Sequence, residues 1–404
     1  MSKKVVIVGG GAAGFFAAIN IAENRPDFDV IIIEKSDQVL QKVKISGGGR
    51  CNITNACFDP KELIKNYPRG GKELLGPFHQ FMTGDTMEWF ESRGVPLKIE
   101  DDNRVFPASN SSQTIVDFFT QTAQKLGVKV LTQHRVATVL KTENQFEIVT
   151  SKGNFIADIV LIATGSNNRI YQVVSSLGHT IIHTVPSLFT FEINDNRLKT
   201  IPGISVPNAT IQIQNKEFLM DGPLLITHWG MSGPAILKLS AFAARYLAEV
   251  NYYFDLEVNW LSKSEDMVLN DLKDYKMAHP KKTMVSKSPF SDIPNRLWEQ
   301  ICLFCNVDSK IIWADCDKLQ LQKITNQLTK ATFKVTGKST FKDEFVMAGG
   351  IDLIEINLKK MESKIHPNLY FAGEILNIDA VTGGFNFQNA WTGAYIAALS
   401  IIKN

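Results

Sequence analysis

The chain has 404 residues, of which 44% are hydrophobic and 21% are charged, a composition that excludes a largely disordered protein. Its 43 Lys and Arg residues nearly balance 41 Asp and Glu residues, and the formal net charge is +2. No overall field therefore directs the protein to nucleic acid or to anionic lipid, and we expect neither as a partner. At this length we expect two domains, or one domain with a large insertion.

A strand is predicted directly after residues 1–4, which leaves no room for a signal peptide, and no apolar run approaches the roughly 18 residues of a membrane span. These features predict a cytoplasmic protein. Cys302 and Cys305 have CxxC spacing in an apolar, helix-like context, which favours buried packing over a metal or redox site. The cysteines form no even framework, and a reducing compartment would keep all of them as thiols: Cys51, Cys57, Cys302, Cys305 and Cys316.

Residues 5–34 have the pattern of a dinucleotide-binding βαβ unit. A buried strand leads into Gly9-Gly10-Gly11-Ala12-Ala13-Gly14, an apolar helix follows, and a second strand ends at Glu34. In this pattern Gly9 allows a tight turn, Gly11 lets the backbone approach a pyrophosphate, and Gly14 lets the helix lie against the strand. The helix N-terminus offers unpaired N–H groups, and the Glu34 carboxylate can accept hydrogen bonds from ribose hydroxyls.

A second glycine cluster follows, and its sequence, Ser46-Gly47-Gly48-Gly49-Arg50-Cys51-Asn52, predicts a loop. Helical periodicity is present at 72–94 and 111–126, and strands are predicted at 128–131 and 135–140. The segments 146–149 and 154–157 are typical of a hairpin. The continuously apolar run 159–163 precedes Thr164-Gly165 and indicates a strand buried in a parallel sheet beside the first strand.

Residues 188–340 have a different hydrophobic pattern, with alternating segments among helix-like stretches. They are predicted to be an inserted, β-rich domain with a helical subdomain near 260–330. Alternating segments at 210–214 and 252–258 predict strands, and helix-like stretches occur at 233–248, 264–277, 294–305 and 315–328. The stretch 279–294 is rich in Pro, Ser and Lys and is predicted to be an exposed linker. Residues 1–187 and 341–404 then form the two parts of the nucleotide-binding core.

The C-terminal part of the chain supplies two further turns. A buried strand is predicted at 368–372 and ends in Gly373-Glu374, and Gly383-Gly384 precedes a helix over about 389–402. Nucleotide-type turns therefore occur near 9–14, 163–165 and 373–386. A nicotinamide-dependent dehydrogenase needs only the first of them, whereas three turns facing one ligand imply a long ligand, and FAD fits that requirement. Each late turn, taken alone, is also compatible with an ordinary strand end.

With these motifs the chain resembles, over nearly its full length, the HI0933/YhiN-like (BaiN-like) family of NAD(P)/FAD-dependent oxidoreductases. The motifs that carry the resemblance are the turn at 8–14, Lys42 to Asn55 with its Ser-Gly-Gly-Gly-Arg-Cys-Asn core, 104–107, 227–234, 371–374 and 382–388. The resemblance implies bound FAD and an α/β fold: a Rossmann-type FAD-binding core of the two-dinucleotide-binding flavoprotein type, with an inserted β-barrel plus helical domain. It does not imply one agreed substrate.

The resemblance also implies where the flavin lies. Arg50 would pair with the pyrophosphate, although a surface loop arginine is the alternative, and Val136 would meet adenine, although it could be a plain core residue. Glu374 would hold a ribityl hydroxyl, and the helix entered through Gly384 would direct its N-terminal dipole at the pyrimidine end of the ring. The full predicted cofactor-binding set is Gly9, Gly11, Ala12, Ala13, Gly14, Glu34, Lys35, Lys42, Ser46, Gly47, Gly48, Gly49, Arg50, Cys51, Asn52, Val136, Ala163, Thr164, Gly165, Gly373, Glu374, Gly384, Phe385, Asn386 and Phe387.

Two further features bear on catalysis. Cys51 and Cys57 have five residues between them instead of the four of disulfide reductases, so a buried thiol is favoured over a redox disulfide. His228, in Thr227-His228-Trp229-Gly230, is the candidate catalytic proton donor, and a packed structural histidine is the alternative. No metal site is predicted.

The function predicted from these residues is an FAD-dependent oxidoreductase. NADH or NADPH would reduce the flavin as a transient reductant in a cleft between core and insertion, and a small organic acceptor, an enone-like compound being one candidate, would reoxidise it. An FAD-binding RNA-modifying protein and a non-catalytic flavin-binding protein are the alternatives. The sequence leaves open the substrate, the choice of nicotinamide and the oligomeric state.

Overall fold

The computed structural model describes residues 2–339 and 346–404. Contacts divide the chain into two compact units, one comprising Met1–Val185 and Val346–Asn404 and the other Pro186–Phe345. The domain boundary predicted between residues 340 and 341 lies outside the described residues.

In the described part of the chain, the strands are β1 (Lys4–Val8), β2 (Asp29–Ile33), β3 (Thr54–Asn55), β4 (Leu97–Ile99), β5 (Arg104–Pro107), β6 (Lys129–Leu131), β7 (Val136–Lys141), β8 (Phe146–Thr150), β9 (Gly153–Ala157), β10 (Ile159–Ile162), β11 (Ile181–Ser187), β12 (Thr190–Glu192), β13 (Ser205–Ile213), β14 (Leu219–Ile226), β15 (Gly230–Ser232), β16 (Phe254–Asn259), β17 (Ala331–Val335), β18 (Gly337–Ser339), β19 (Val346–Ile351), β20 (Ile356–Asn357), β21 (Glu362–Ser363) and β22 (Leu369–Phe371).

The α-helices of the same described residues are α1 (Ala12–Asn24), α2 (Gln41–Gly49), α3 (Pro60–Leu63), α4 (Gly71–Phe78), α5 (Thr83–Glu91), α6 (Ser112–Lys125), α7 (Asn168–Ser176), α8 (Asn196–Lys199), α9 (Pro234–Phe242), α10 (Ala244–Glu249), α11 (Glu265–Ala278), α12 (Asn295–Phe304), α13 (Lys318–Thr329) and α14 (Phe385–Ile402). Across these described helices, none combines the length and the apolar character needed to cross a bilayer.

The first unit is built on a seven-stranded sheet with the order β20-β21-β22-β10-β1-β2-β6. The five strands from β22 to β6 are parallel, with Val8 opposite both Ile162 and Ile33. β10 is buried along its whole length, as is typical of a strand inside a parallel sheet whose two faces are both covered. The predicted α/β fold is therefore confirmed, as is the position of residues 159–162 beside the first strand.

Helices α1 and α14 pack together, and an aromatic cluster lies around them. The Trp391 ring centroid lies 5.2 Å from that of Phe16 and 5.7 Å from that of Phe119. α14 begins at Phe385, earlier than predicted, because Gly384 forms its N-cap with a φ of 94°. The predicted helix at 72–94 is instead two helices, since Met82 is extended and caps α5 through a hydrogen bond from its N–H to the Asp85 carboxylate.

The second unit contains a seven-stranded sheet with the order β17-β16-β13-β14-β15-β12-β18, in which the pairings are antiparallel. The strands and helices predicted within 210–328 are present. The linker prediction at 279–294 is wrong in part: Lys281 is exposed, but Met284, Phe290 and Ile293 are buried. These three side chains are part of the apolar core of the unit. The high Pro, Ser and Lys content of the segment did not predict their burial.

The CxxC pair of the second unit packs inside. Cys302 and Cys305 are buried at the end of α12, and all five cysteines are free thiols. Burial raises the pKa of the Cys305 thiol to about 11, so it stays protonated at neutral pH. Within residues 2–339 and 346–404, no group of three or more His, Cys, Asp or Glu side chains could hold a metal ion. The burial of Cys302 and Cys305 supports the sequence-based interpretation that they are packing residues.

Candidate functional site

Three glycine turns meet at one edge of the parallel sheet. β22, β10 and β1 are adjacent and parallel, so their carboxyl ends lie side by side. Gly9 follows β1, Gly165 lies just beyond β10, and Gly373 lies just beyond β22. Ligands of open α/β sheets bind outside the carboxyl ends of the strands. The topology thus brings together segments that are far apart in the sequence.

The turn after β1 has little spare room around its first and last glycines. Gly9 has a φ of 117°, and a Cβ there would lie 2.5 Å from the Ala163 carbonyl oxygen. A Cβ on Gly14 would lie 2.0 Å from the Gly9 carbonyl oxygen, whereas a Cβ on Gly11 would meet no protein atom within 4 Å. The backbone is therefore tight where helix and strand pack, and open at Gly11.

The N-terminus of α1 faces this opening without a capping side chain. Gly11 is the N-cap, and α1, which lies wholly in the described residues, has no acidic residue in its first turn. The first N–H groups of a helix have no intrahelical partner and carry partial positive charge. Such an uncapped N-terminus is suited to an anionic group such as a pyrophosphate.

A cavity of about 590 Å³ lies beside the first turn. Small-molecule sites have volumes of about 300–1,000 Å³. The predicted residues Gly9, Glu34, Lys35, Val136 and Thr164 line it. The other lining residues were not predicted from the sequence: Val8, Ile33, Ser36, Asp37, Gln41, His134, Arg135, Asn167, Arg169 and Ile170.

Glu34 is fixed in the wall of this cavity by two backbone hydrogen bonds. Its Oε2 accepts from the Gly10 N–H and its Oε1 from the Ser36 N–H, both at 2.9 Å. An ionised carboxylate has about four lone-pair sites, so acceptor capacity remains for hydroxyl groups of a ligand. The position predicted for a ribose-binding acid is thus held by the fold itself.

A second group of predicted residues surrounds Glu374. The Lys42 ammonium lies 2.6 Å from Glu374 Oε2, and a Cβ on Gly165 would lie 3.6 Å from the same oxygen. The Tyr171 hydroxyl donates to the Glu374 carbonyl oxygen at 3.4 Å, and burial raises the pKa of Tyr171. A Cβ on Gly373 would lie 3.5 Å from the Ala13 Cβ, which places this strand end against the first turn of α1.

The second glycine cluster forms an irregular end to α2. Ser46, Gly47 and Gly48 leave the helical conformation, as the predicted loop requires, and the Ser46 hydroxyl donates to the Val43 carbonyl oxygen. Gly48 and Gly49 have positive φ angles, and a Cβ on either would meet nothing within 4 Å. The backbone is therefore open here, unlike at Gly9 and Gly14.

Arg50 and Cys51 follow this cluster and are both engaged within the protein. Arg50 Nη1 lies 2.6 Å from Glu100 Oε1, and its guanidinium lies 3.9 Å from the Phe106 ring centroid. The hydrogen bond from Arg50 is the main cause that lowers the Glu100 pKa. Cys51 is buried with a φ of 60°, and burial raises its thiol pKa to about 12, which disfavours a thiolate nucleophile. A pyrophosphate role for Arg50 stays a prediction.

The entry to α14 is fixed by backbone contacts and by its own side chains. A Cβ on Gly384 would lie 2.5 Å from the Thr54 carbonyl carbon, and the Asn52 amide oxygen, oriented to satisfy its partners, accepts from the Gly384 N–H at 2.9 Å. The Asn386 amide oxygen accepts from the Ala380 N–H, and the Asn386 amide nitrogen donates to the Ala380 carbonyl oxygen, both at 3.0 Å. Phe385 is buried, and the Phe387 ring stacks on Trp391. What this segment offers a ligand is therefore its backbone.

His228 belongs to the second unit. It is exposed in the turn between β14 and β15, where the Thr227 hydroxyl oxygen accepts from the Trp229 and Gly230 N–H groups. A packed structural histidine was the alternative interpretation, and its exposure argues against that alternative. A role as proton donor stays a prediction.

Comparison with known proteins places these features in a family. The model described as "HI0933-like protein Rossmann domain" matches residues 3–400. The chain belongs to the HI0933-like family. Its relatives include the 3-dehydro-bile acid delta(4,6)-reductase of Clostridium scindens, which is 25% identical over 98% of both chains. They also include the ribosomal RNA dihydrouridine synthase of Haemophilus influenzae, which is 27% identical over 98% of both chains.

Solved flavoprotein structures share the fold of this HI0933-like protein. The 3-ketosteroid-delta4-(5alpha)-dehydrogenase of Rhodococcus jostii RHA1 matches with a TM-score of 0.52 and 12% identity, over 100% of this chain and 97% of that chain. A flavocytochrome c3 fumarate reductase matches with a TM-score of 0.50 and 15% identity, over 100% of this chain and 78% of that chain. At these identities the likeness shows the fold alone.

The residues of the HI0933-like protein fit a bound FAD. The open face at Gly11, the uncapped N-terminus of α1 and the anchored Glu34 carboxylate are the groups that an adenosine diphosphate half requires. The open backbone at Gly48 and Gly49 provides further space without side chains. Together with the family match, this supports FAD as the cofactor of an oxidoreductase.

The unpredicted cavity residues lie mainly on loops after β2 and β10 and before β7. Asn167 was the one with a local signal, because an Asn shortly after a strand-ending glycine is a candidate helix cap, and its side chain does cap α7. His134 and Arg135 reach the cavity because β6 pairs with β2, which sequence reasoning did not derive.

Proposed function

We propose that this HI0933-like protein reduces a carbon–carbon double bond that is conjugated to a carbonyl group in a small cyclic acceptor, with NADH or NADPH as the source of electrons. One observation carries this proposal: the names of the two kinds of relative describe the same chemistry. A 3-oxo bile acid with 4,6 unsaturation and a uridine base each contain a ring double bond conjugated to a carbonyl group. Saturation of that bond is the reaction that the names share.

The electron and proton balance of the proposed reaction is simple. NAD(P)H gives up a hydride and becomes NAD(P)⁺, and the acceptor gains one hydride at its β-carbon and one proton at its α-carbon. FAD, when bound, supplies the two-electron carrier between these substrates. No other oxidant or reductant is needed.

The protein groups have distinct tasks in this proposal. The N–H groups at the start of α1 bind the pyrophosphate and Glu34 binds ribose hydroxyls. The N-terminal dipole of α14, entered through Gly384, stabilises negative charge at the pyrimidine end of the ring. His228 donates the proton to the α-carbon, since an exposed imidazole can act as a general acid.

A small-molecule acceptor is favoured over RNA by the nearly balanced charge, because phosphate contacts from Lys and Arg provide most nucleic-acid affinity. A uridine base in ribosomal RNA is the second candidate acceptor. The observation that favours it is the name shared by the Haemophilus influenzae relative and an Escherichia coli relative that is 25% identical over 98% of this chain.

The test is an anaerobic two-step experiment on the yellow holoprotein. NADH or NADPH is added until the flavin bleaches, and the recovery of colour is then timed with testosterone, with cyclohexenone, or with cyclohexanone as the saturated control. The proposal expects recovery with an enone and none with the ketone. Protein-free ribosomal RNA is tested in parallel, and a mass gain of two hydrogens in a uridine nucleotide would instead establish the second candidate.

Two results would contradict the proposal. Absence of bleaching by both nicotinamides would leave a flavin-binding protein without this reaction. Recovery of colour that is equally fast with cyclohexanone and cyclohexenone would show that no conjugated double bond is being reduced.

The role of His228 is tested by His228→Asn beside the exposed His79→Asn control. We expect the first variant to slow flavin reoxidation by the enone while flavin reduction by NAD(P)H keeps its rate. Equal losses in both steps would show a structural role.

A further inference from the structure

The loop between β6 and β7 is hydrogen-bonded to the segment that carries Glu34. The Glu34 N–H donates to the Leu131 carbonyl oxygen, and the His134 N–H donates to the Glu34 carbonyl oxygen, both at 2.9 Å. The Gln133 N–H adds a third bond, to the Ser36 carbonyl oxygen at 2.8 Å. These bonds belong to the backbone, so they hold position 134 beside Glu34 whichever side chain stands there.

The imidazole of His134 is also held in place. Its Nδ1 lies 2.7 Å from the Thr132 carbonyl oxygen, and its ring makes an edge contact with the Phe155 ring, with 6.1 Å between the centroids. Because a carbonyl oxygen only accepts hydrogen bonds, Nδ1 carries the proton of the neutral ring and Nε2 has the lone pair. Among residues 2–339 and 346–404, none donates a hydrogen bond to this Nε2. The ring therefore keeps an unused acceptor.

His134 lines the cavity beside the first turn, together with Glu34. Part of the cavity wall is apolar, since Val8, Ile33 and Ile170 also line it. A ribose bound by Glu34 would bring its attached base into the same cavity, where apolar side chains suit the faces of the base and polar groups can read its edge. His134 is the lining residue whose backbone N–H is bonded to Glu34 itself.

We propose that His134 Nε2 accepts a hydrogen bond from the exocyclic amino group of the FAD adenine and thereby selects adenine over a base with an oxygen at that position. The adenine amino group donates, whereas the corresponding oxygen of hypoxanthine only accepts and would face the lone pair of Nε2. His134 is thus a specificity-determining residue for the cofactor. The inference rests on FAD as the cofactor of the proposed function, and it is independent of the acceptor that the flavin reduces.

A cofactor exchange experiment on the holoprotein tests this role. The holoprotein is dialysed to equilibrium against equal concentrations of FAD and flavin hypoxanthine dinucleotide, and the flavins released on denaturation are quantified by chromatography. The bound ratio reports relative affinity directly, because the two flavins compete for one site. We expect the wild type to prefer FAD by about tenfold or more, since the oxygen of the analogue leaves polar groups unpaired.

Two variants of His134 separate the acceptor from the ring. His134→Phe keeps a flat ring and the backbone bonds but removes the acceptor, and we expect the preference for FAD to fall about tenfold. His134→Gln should bind both flavins, because its amide can present an oxygen to adenine or an amino group to hypoxanthine. Asp37→Asn is the matched control: Asp37 is another acceptor that lines the cavity, but it is exposed, and this variant should keep the wild-type ratio. A wild-type ratio in His134→Phe would overturn the inference.

A ribose analogue distinguishes a contact to adenine from a contact to the ribose. The exchange is repeated with FAD against FAD that lacks the adenosine 2′-hydroxyl, and Glu34 predicts a preference for FAD here as well. His134→Phe should keep this second preference at the wild-type value. If it loses this preference and retains the preference for adenine, His134 binds the ribose and the inference is overturned. Failure of enones to reoxidise the wild-type flavin would overturn the proposed function without changing these flavin ratios.

Discussion

The two glycine clusters of the first unit use the same residue for different physical reasons. In the turn after β1, added Cβ atoms at Gly9 and Gly14 would lie 2.5 and 2.0 Å from backbone oxygens. In the cluster at the end of α2, added Cβ atoms at Gly48 and Gly49 would meet nothing within 4 Å. The first pair is required by packing within the protein, and the second pair leaves space that the protein does not fill.

Gly11 lies in the first cluster, but its surroundings are as open as those of the glycines in the second cluster. It is the N-cap of α1, yet a Cβ there meets no atom within 4 Å, and its φ of −97° is accessible to any residue. The comparison therefore separates glycines that maintain the fold from glycines that admit a ligand. Stability and FAD affinity should respond to different substitutions.

Gly14→Ala should have the largest effect, on stability. The new Cβ would lie 2.0 Å from the Gly9 carbonyl oxygen, so α1 must move away from β1. We expect the apoprotein to lose more than about 3 kcal/mol of unfolding free energy, measured by urea titration. Gly393→Ala is the control, because its Cβ would have ordinary contacts of 3.7 Å or more in α14. Similar stability in the two variants would contradict the packing role of Gly14.

Gly11→Val should have the next largest effect, on the cofactor. Its side chain would occupy the open space beside the N-terminus of α1, and we expect FAD affinity to fall at least about a hundredfold, equivalent to about 2.7 kcal/mol. The apoprotein should lose less than about 1 kcal/mol, since the changed residue is an N-cap that had no side-chain hydrogen bond. Yellow protein with wild-type FAD affinity would show that the pyrophosphate binds elsewhere.

The glycine turns and apolar strands could be predicted because their constraints are local. The run 159–162 is apolar throughout, and Gly9 and Gly14 stand where the chain must turn and pack, so sequence alone indicates the sheet and its ligand edge. The ion pair between Arg50 and Glu100 could not be predicted, because nothing local relates residues 50 positions apart.

The linker predicted at 279–294 was wrong in part because composition was a misleading guide to burial. Residues 279–294 have the composition of a loop, but Met284 and Ile293 are part of the apolar core of the second unit. Composition reports the average residue of a segment, whereas packing depends on the few apolar side chains that face inward. The positions of His134 and Arg169 at the cavity were missed for a related reason, since strand order decides where these residues lie.

The pH dependence of stability at Cys51 extends the comparison, since Cys51 lies two residues after the last glycine of the second cluster. Burial raises its pKa from 9.0 to about 12, so its folded form retains a proton that the unfolded form loses. This contribution to stability is complete below pH 9 and is lost as the pH rises toward 12. Above pH 9, Cys51→Ala should flatten the fall of unfolding free energy by up to about 1.4 kcal/mol per pH unit.

The half-buried Cys57 supplies the control for that measurement. Its pKa is raised mainly by burial as well, but it is less deeply buried, and Cys57→Ala should flatten the alkaline slope less than Cys51→Ala. Urea titrations at a series of pH values between 8 and 10.5 measure both slopes. Identical slopes in wild type and Cys51→Ala would show that this thiol is not protected in the folded state.

Gly48→Ala should have the smallest effect on stability and FAD affinity. It tests whether the open glycines of the second cluster make space for the cofactor. At a φ of 67°, alanine costs about 1 kcal/mol by backbone strain alone, since no atom obstructs its Cβ. Gly127→Ala is a matched variant, because Gly127 has a φ of 75° and equally open surroundings but lies after α6. Both variants should lose similar stability in urea, while Gly48→Ala alone weakens FAD binding several-fold in a titration of the apoprotein. If both bind FAD like the wild type, the space at Gly48 serves the conformation of the loop and not the cofactor.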